Sequence, residues 1–195
     1  MDPETIEVYK ALLQEVAHAH RRWKFYVQLF GRDQGAVDLL NNVAPEFFSM
    51  SQSAIFECTL LHICRITDPK DTRRKSNLSM HRLFAMLECD GISFDKSKIA
   101  TLELVTQFAR DWRNRGLAHR DLSVALGRDD EKLAFASRKK VDDALNAIAS
   151  CLNIVATMIG EPPTDFSYEP VDIDGLLLTL QKGLSSILLE RTNRF

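Results

Sequence analysis

The sequence is short of the residues on which several common protein classes depend. It has eight glycines and neither a Gly-x-x-x-x-Gly-Lys nor a Gly-x-Gly-x-x-Gly pattern, which argues against P-loop and Rossmann enzymes. It also lacks the serine elbow of hydrolases. No apolar run approaches the roughly 18 residues of a membrane span, and the first residues lack the apolar core of a signal peptide. We therefore expect a cytoplasmic protein that does not contact a membrane.

Cysteine and histidine are also sparse. The four cysteines form no Cys-x-x-Cys pair and lie in apolar helical patterns typical of buried free thiols in a reducing compartment: Cys58, Cys64, Cys89 and Cys151. Cys58 and His62 share a helix face, but a zinc site needs two further ligands, so we expect core positions for both. His18 and His20 point to different sides of a helix, and we expect them at the surface. The sequence predicts neither a metal site nor a cofactor.

An excess of charge of either sign is nearly absent as well. The formal net charge is -2, so a polyanion would have to bind a local basic patch and not the field of the whole protein. The hydrophobic fraction of 45% and the length of 195 residues are those of an ordinary globular protein. We expect one domain over residues 1–195 that needs no metal or disulfide for stability.

What the sequence has in abundance is apolar spacing of three and four residues, which predicts helices. Asp2 and Asn77 are predicted helix N-caps, and Gly91 a helix end. Residues 70–76 are predicted to be a loop, and 121–136 irregular, with room for one short strand or hairpin. The fold class is therefore all-α, a bundle of about six helices over residues 3–30, 47–66, 78–89, 95–112, 138–159 and 176–188.

Two of these helices carry clear apolar stripes. The fifth has a stripe with steps of four and three residues: Val141, Leu145, Ile148, Leu152, Val155 and Ile159. The sixth is expected to bury a second set: Leu176, Leu177, Leu180, Leu184, Ile187 and Leu188. Both are predicted to pack into the bundle core.

The one strong chemical signal is a basic cluster after Trp112. Residues 110 to 120 contain four arginines and one aspartate. If the helix stays regular, His119 lies within about 20° of the stripe of Phe108 and Trp112, at a half-buried boundary. Arg115 shares the face of His119, whereas Arg113 lies about 120° away unless Gly116 relaxes the helix or a second copy of the chain contributes its own Arg113.

This cluster has two interpretations. An imidazole for proton transfer beside a guanidinium for phosphate is what cleavage of a phosphodiester without metal requires. The alternative is a capping arrangement, in which Arg and His stabilise the dipole at a helix C-terminus and His119 bonds Asp121. Spacing alone leaves both open.

The motif resembles that of the HEPN superfamily, in which an Arg, often followed by a polar residue, precedes a His by a few residues. Here the Arg and His are Arg113, followed by Asn114, and His119. Two further segments in the right order, 63–69 (Ile-Cys-Arg-Ile-Thr-Asp-Pro) and 77–79 (Asn-Leu-Ser), are similar to the abortive-infection AbiU branch. The resemblance covers about residues 40–125 and leaves the roles of Arg65, Asp68 and Asn77 undefined.

The resemblance implies a HEPN-like bundle that dimerises along its motif helices, and a metal-independent endoribonuclease of toxin or phage-defence type. By this resemblance the catalytic candidates are Arg113, His119 and Asn114. His119 is then the general acid or base, Arg113 holds the phosphate, and Asn114 orients one of them. The flanking Arg110, Arg115 and Arg120 are the candidate RNA-binding residues. RNA, a second copy of the chain and an antitoxin protein are the candidate partners.

A different class of function remains open. The family also contains inactive members, so the chain can instead be a non-catalytic module that binds a nucleotide or protein or only dimerises. Some family toxins carry a Tyr two residues after the His, where a partner enzyme modifies them. Asp121 stands there in this sequence, so that form of regulation is not expected.

Overall fold

The computed structural model describes residues 1–73, 75–119, 121–128, 132–167, 169 and 172–192, without the side chains of residues 188 and 190–192. Within these residues the chain forms eight α-helices and one two-stranded hairpin, so the predicted all-α helical bundle is confirmed. The elements are α1 (Pro3–Phe30), α2 (Gln34–Val43), α3 (Pro45–Ile66), β1 (Asp71–Thr72), β2 (Lys75–Ser76), α4 (Met80–Cys89), α5 (Lys96–Trp112), a π-helical turn (Arg113–Leu117), α6 (Leu122–Ala125), α7 (Arg138–Met158) and α8 (Asp172–Thr192).

Local capping explains where most helices begin. The carboxylate of Asp2 accepts a hydrogen bond from the Glu4 backbone N–H at 3.0 Å, as predicted for α1. Asp95 caps α5 by accepting from the Ser97 N–H, and Ser137 caps α7. Gly91, with a φ of 77°, ends α4 in the left-handed conformation that glycine adopts without strain.

Three details of the prediction are wrong. The segment 70–76 is not a plain loop, because Asp71 pairs with Ser76 and Thr72 with Lys75 in an antiparallel hairpin. Asn77 does not cap α4; the Ser79 hydroxyl does, by accepting from the Arg82 N–H at 3.3 Å. Two helices were not predicted: α2, whose N-cap Asp33 accepts from the Ala36 N–H, and the four-residue α6.

The chain divides into two compact units, and the first comprises Met1–His20 and Glu57–Phe166. Its core is apolar, and α5 packs against α7. The predicted stripe of α7 is buried from Val141 to Val155, whereas Ile159 lies just past the helix end and is half-buried. Other fully buried side chains in this unit include Leu12, Leu60, Ile63, Leu83, Leu87 and Leu102.

The second unit comprises Arg21–Phe56 and Ser167–Phe195. Its small core is formed by Leu29, Leu40, Phe48 and Ile173, and α2 packs against α8. The prediction that α8 buries its whole apolar set is wrong. Leu177 and Leu180 pack against this core, but Leu176 and Ile187 are exposed, and the side chain of Leu188 lies outside the described residues.

Several polar residues also differ from expectation. His20 is not at the surface: it is buried, stacks on Phe166 with ring centroids 5.0 Å apart, and its Nε2 lies 3.2 Å from the Leu145 carbonyl oxygen. His18 is exposed as predicted. Cys64 and Cys151 are buried, and burial raises the pKa of each thiol to about 11. Cys58 and Cys89 are exposed, contrary to the prediction of four buried thiols.

No helix in the described part of the chain combines the length and the hydropathy that crossing a membrane would require.

Candidate functional site

The predicted motif lies on a π-helical turn. Helix α5 ends at Trp112, and residues Arg113–Leu117 continue with wider hydrogen bonding, in which the Ala118 N–H donates to the Arg113 carbonyl at 2.8 Å. Such turns are rare and are frequently found at functional sites. The wider turn breaks the regular helical register, so His119 does not follow the stripe of Phe108. It is exposed, and not half-buried as predicted.

Arg113 binds a carboxylate that comes from a different helix. Its Nη1 donates to Oδ1 of Asp68 at 2.6 Å, and its Nε donates to the side-chain oxygen of Asn114 at 3.1 Å. The Nη1 of Arg110 lies 3.6 Å from the same Asp68 oxygen, and its Nη2 donates to the Thr67 carbonyl at 2.6 Å. One carboxylate thus lies between two guanidinium groups, which leaves a local excess of positive charge. Thr67, Asp68, Arg110 and Arg113 are called the Asp68 side.

Asp68 is held in place by the chain around it. It lies just after the end of α3, where the Thr67 hydroxyl donates to the Ile63 carbonyl at 2.8 Å. After Pro69 the hairpin returns to Asn77, whose side-chain amide donates to the Pro69 carbonyl and to the Thr72 hydroxyl, both at 2.8 Å. Asp68 and Asn77, whose roles the sequence left undefined, therefore act together: one binds the motif arginine and the other closes the loop that positions it.

The opposite side of the turn is covered by residues 132–134. Arg115 Nη1 lies 3.2 Å from Asp111 Oδ1 and 3.4 Å from the Lys132 carbonyl oxygen. Asp111 also accepts from the Ala134 N–H at 2.6 Å, and the Trp112 indole donates to the Ala134 carbonyl at 2.7 Å. Asp111, Trp112, Arg115 and residues 132–134 are called the Leu133 side.

Gly116 fits closely against the Leu133 side. A Cβ placed on it would lie 3.1 Å from Cδ1 of Leu133, closer than side chains normally approach. The glycine therefore lets the segment of Leu133 lie directly on the turn. Gly116 therefore permits close packing between the π turn and the Leu133 side.

The structure separates the predicted RNA-binding arginines. Arg110 lines an open cavity of about 750 Å³ together with Lys70, His81 and Gln107. Arg115 lines another of about 670 Å³, with Lys132 and Lys140 among its neighbours. Arg110 and Arg113 are brought together by Asp68, and Arg115 is directed to the Leu133 side. Arg120 lies outside the described residues.

His119 and Asn114 are accessible. Both are exposed, and among the described residues no hydrogen bond or ion pair of the His119 ring is seen. The alternative in which His119 bonds Asp121 is not what the structure has: the Asp121 carboxylate accepts from the Ser123 and Val124 N–H groups and caps α6. His119 therefore lies in the bend between the π turn and a short capped helix.

A further ionic group near Asp68 was not predicted. His62 is buried, with Nε2 2.8 Å from Oε2 of Glu15, and Arg65 donates to the same oxygen at 2.8 Å. Burial raises the pKa of Glu15, but the hydrogen bond from His62 and the charges of His62 and Arg65 outweigh it and lower that pKa overall. Glu15 lies 47 residues before His62, so no local pattern links the two.

Glu15 and Asp68 line a common cavity of about 310 Å³ with Asn77. In the described part of the chain, no group of three or more His, Cys, Asp or Glu side chains is arranged as metal ligands. His62 is thus a buried histidine whose partner is the Glu15 carboxylate.

Comparison with known protein families identifies a match over most of the chain. Residues 2–170 match the model of the family HEPN_AbiU2, described as AbiU2. No curated protein and no solved structure matches the chain significantly.

Proposed function

Because the chain belongs to the HEPN_AbiU2 family, we propose that it is a metal-independent endoribonuclease of toxin or phage-defence type that acts as a homodimer. One arrangement carries this proposal. Arg113, at the start of the π turn, binds an anionic oxygen of Asp68, and His119 is exposed just beyond the end of the same turn. The first group is suited to hold a phosphate, and the second can transfer a proton.

The proposed reaction uses the neighbouring ribose as nucleophile. His119 accepts the proton of the 2′-hydroxyl, the 2′-oxygen bonds to phosphorus, and the bond from phosphorus to the 5′-oxygen breaks. The 5′-oxygen takes up a proton, which leaves a 2′,3′-cyclic phosphate and a 5′-hydroxyl end. A homodimer has two copies of His119, so one imidazole can accept the first proton while the other donates the second.

Arg113 stabilises the charge that develops on the phosphate oxygens. In the free protein its Nη1 binds Asp68, so a phosphate would replace or share this carboxylate partner. Asn114 accepts from Arg113 Nε and thereby orients the guanidinium plane. Arg110 and Arg115, on the two sides of the turn, together with Arg120, would contact the flanking RNA.

Exposed apolar side chains near the motif support dimerisation there. Leu122 of α6 is 67% exposed, Leu126 just after it 60%, and Phe135 in the following segment 76%. Exposed large apolar side chains are typical of surfaces that other protein chains cover. A second copy covering them would bring two motifs close together.

The non-catalytic alternative is favoured by a different observation. Arg113 is already paired within its own chain, through Asp68 and Asn114, as a purely structural arginine would be. In that case the motif builds the fold or a dimer and cleaves nothing. The two proposals differ in whether removing His119 changes any reaction.

The test is RNA cleavage by the purified full-length protein in EDTA. We expect cleavage that leaves cyclic phosphate ends, and a loss of at least about 100-fold for His119→Ala, in line with the loss of a general acid or base. His18→Ala, at an exposed position of α1, is the matched control and should cleave normally.

Sedimentation of both variants should show the same dimer as the unaltered chain. Full cleavage by the His119→Ala dimer would reject the catalytic role. Absence of cleavage by the unaltered dimer on any RNA would favour the non-catalytic alternative.

A further inference from the structure

The cavity of about 750 Å³ beside Arg110 has the size of a small-ligand site. One wall is a single face of α5, formed by residues spaced three or four apart: Ala100, Glu103, Leu104, Gln107 and Arg110. The opposite wall is the chain after α3, with Thr67, Pro69 and Lys70, and His81 of α4 completes the lining. The cavity therefore shares its arginine end with the Asp68 side of the motif.

The cavity combines apolar surface with two cations. Leu104 lines it and is 71% exposed, and Pro69 and Ala100 add further apolar surface. Arg110 and Lys70 supply the positive charge. The Arg110 guanidinium is fixed by the Thr67 carbonyl at 2.6 Å, so it is oriented before any ligand arrives. Apolar surface with adjoining cations suits a nucleotide, whose base is apolar on its faces and whose phosphate is anionic.

Three polar side chains can read the edge of such a base. Glu103 Oε1 lies 3.6 Å from Nε2 of His81, and the Gln107 amide lies one turn further along α5. Burial lowers the pKa of His81, partly opposed by Glu103, which favours a neutral ring that can donate and accept hydrogen bonds. A carboxylate accepts two hydrogen bonds at once, and guanine is the RNA base that offers two adjacent N–H donors on one edge.

We infer that this cavity binds the base of the RNA nucleotide next to the cleaved bond, and that Glu103 makes guanine the preferred base. The position of this nucleotide beside a cleaved bond rests on the proposed function, whereas the binding of a nucleotide in the cavity does not. Asp68 joins the two arginines, so the phosphate held by Arg113 and the nucleotide held beside Arg110 would belong to neighbouring positions of one strand. Uracil is the base least suited to the site, because its single edge N–H lies between two carbonyl oxygens that the Glu103 carboxylate would repel.

The direct test is binding of the four 5′-mononucleotides to the full-length His119→Ala protein. Binding is detected through the NMR signals of the His81 ring. GMP should shift these signals at a concentration about 10-fold lower than UMP. Glu103→Gln should remove most of this difference, because an amide offers only one acceptor. Glu88→Gln, at an exposed position of α4, should leave the preference intact.

A second measurement separates this inference from the proposed function. In the cleavage assay, Glu103→Gln should lower kcat/KM about 10-fold for RNA cut beside guanine and leave other sites nearly unchanged. GMP selectivity in a protein that cleaves no RNA would uphold the site and reject the nuclease. Cleavage that ignores Glu103, or equal or absent binding of all four nucleotides at millimolar concentration, would overturn the guanine site.

Discussion

The two sides of the π turn each pair an arginine with an aspartate, but the two aspartates come from different parts of the chain. Arg113 and Arg115 are two residues apart, their side chains are equally exposed at 28%, and each is paired with an aspartate. The partner of Arg115, Asp111, lies one turn earlier on the same helix. The partner of Arg113, Asp68, lies 45 residues away in sequence, at the end of α3.

This difference separates an arginine paired within its own helix from one that is paired with another part of the chain. On the Leu133 side, Arg115 pairs with Asp111, contacts the Lys132 carbonyl oxygen and lines a cavity of its own. On the Asp68 side, two guanidiniums share one carboxylate beside an open cavity. Two guanidiniums that share one carboxylate are better placed to bind a phosphate than an arginine that has an aspartate of its own.

The comparison is tested most strongly by Arg113→Ala and Arg115→Ala. Loss of the guanidinium that neutralises the phosphate should slow RNA cleavage at least about 100-fold, whereas Arg115→Ala should slow it less than about 10-fold. Both are measured as initial rates in EDTA. Equal losses would remove the distinction between the two sides.

Asp68→Asn should sharpen the comparison through stability. The change leaves Arg110 and Arg113 close together without their shared carboxylate, and we expect the free energy of unfolding to fall by about 2 kcal/mol. Asp111→Asn is the matched variant on the Leu133 side. Its amide oxygen can still accept from the Ala134 N–H, so the loss should be about half as large. Urea denaturation measures both, and a larger loss for Asp111→Asn would contradict the assignment.

Glu15→Gln tests whether the ionic group near Asp68 depends on pH. The pKa of Glu15 is lower in the folded protein than its ordinary value of 4.5, so its ionised form stabilises the fold. This contribution is complete above the unfolded pKa and disappears as the pH falls through the lower, folded pKa. We expect Glu15→Gln to cost about 1 kcal/mol at neutral pH and progressively less in acid.

Thermal unfolding over a range of pH measures this difference, with Glu7→Gln, at an exposed position of the same helix, as control. A difference between Glu15→Gln and the unaltered protein that stays constant down to the lowest pH would contradict the ionic role.

The smallest effect is expected from Trp112→Phe. Phenylalanine keeps most of the apolar contact but cannot donate to the Ala134 carbonyl, so the protein should lose about 0.5 to 1 kcal/mol of stability. Cleavage should be unchanged, since the residue lies on the Leu133 side. A large loss of activity with little loss of stability would show that this side also serves the reaction.

Much of the fold could be predicted because its strongest signals are local. The Asp2 cap of α1 and the apolar stripe of α7 act within one or two helical turns, and the structure has the cap as predicted and the stripe buried from Val141 to Val155. Burial of α8 could not be predicted in the same way. Its leucines have helical spacing, but the described core of the second unit contacts only part of them.

The candidate site shows the same limit. The sequence identified Arg113, Asn114 and His119, and the resemblance included Asp68 and Asn77 without assigning them a partner. The pairing of Asp68 with Arg113 depends on how α3 and α5 meet, which no local spacing encodes. The exposure of His119 depends on the π turn, and a regular helix was the natural expectation for residues 113–117.

The π turn also places one residue more than a regular helical turn between Arg113 and His119. Each residue of a regular helix adds a rotation of about 100° and a rise of about 1.5 Å. Deleting one residue from this segment would therefore point the imidazole in a new direction and leave Arg113 in place. The reach of the histidine is thus adjustable by length alone, without any change in the residues that hold the arginine.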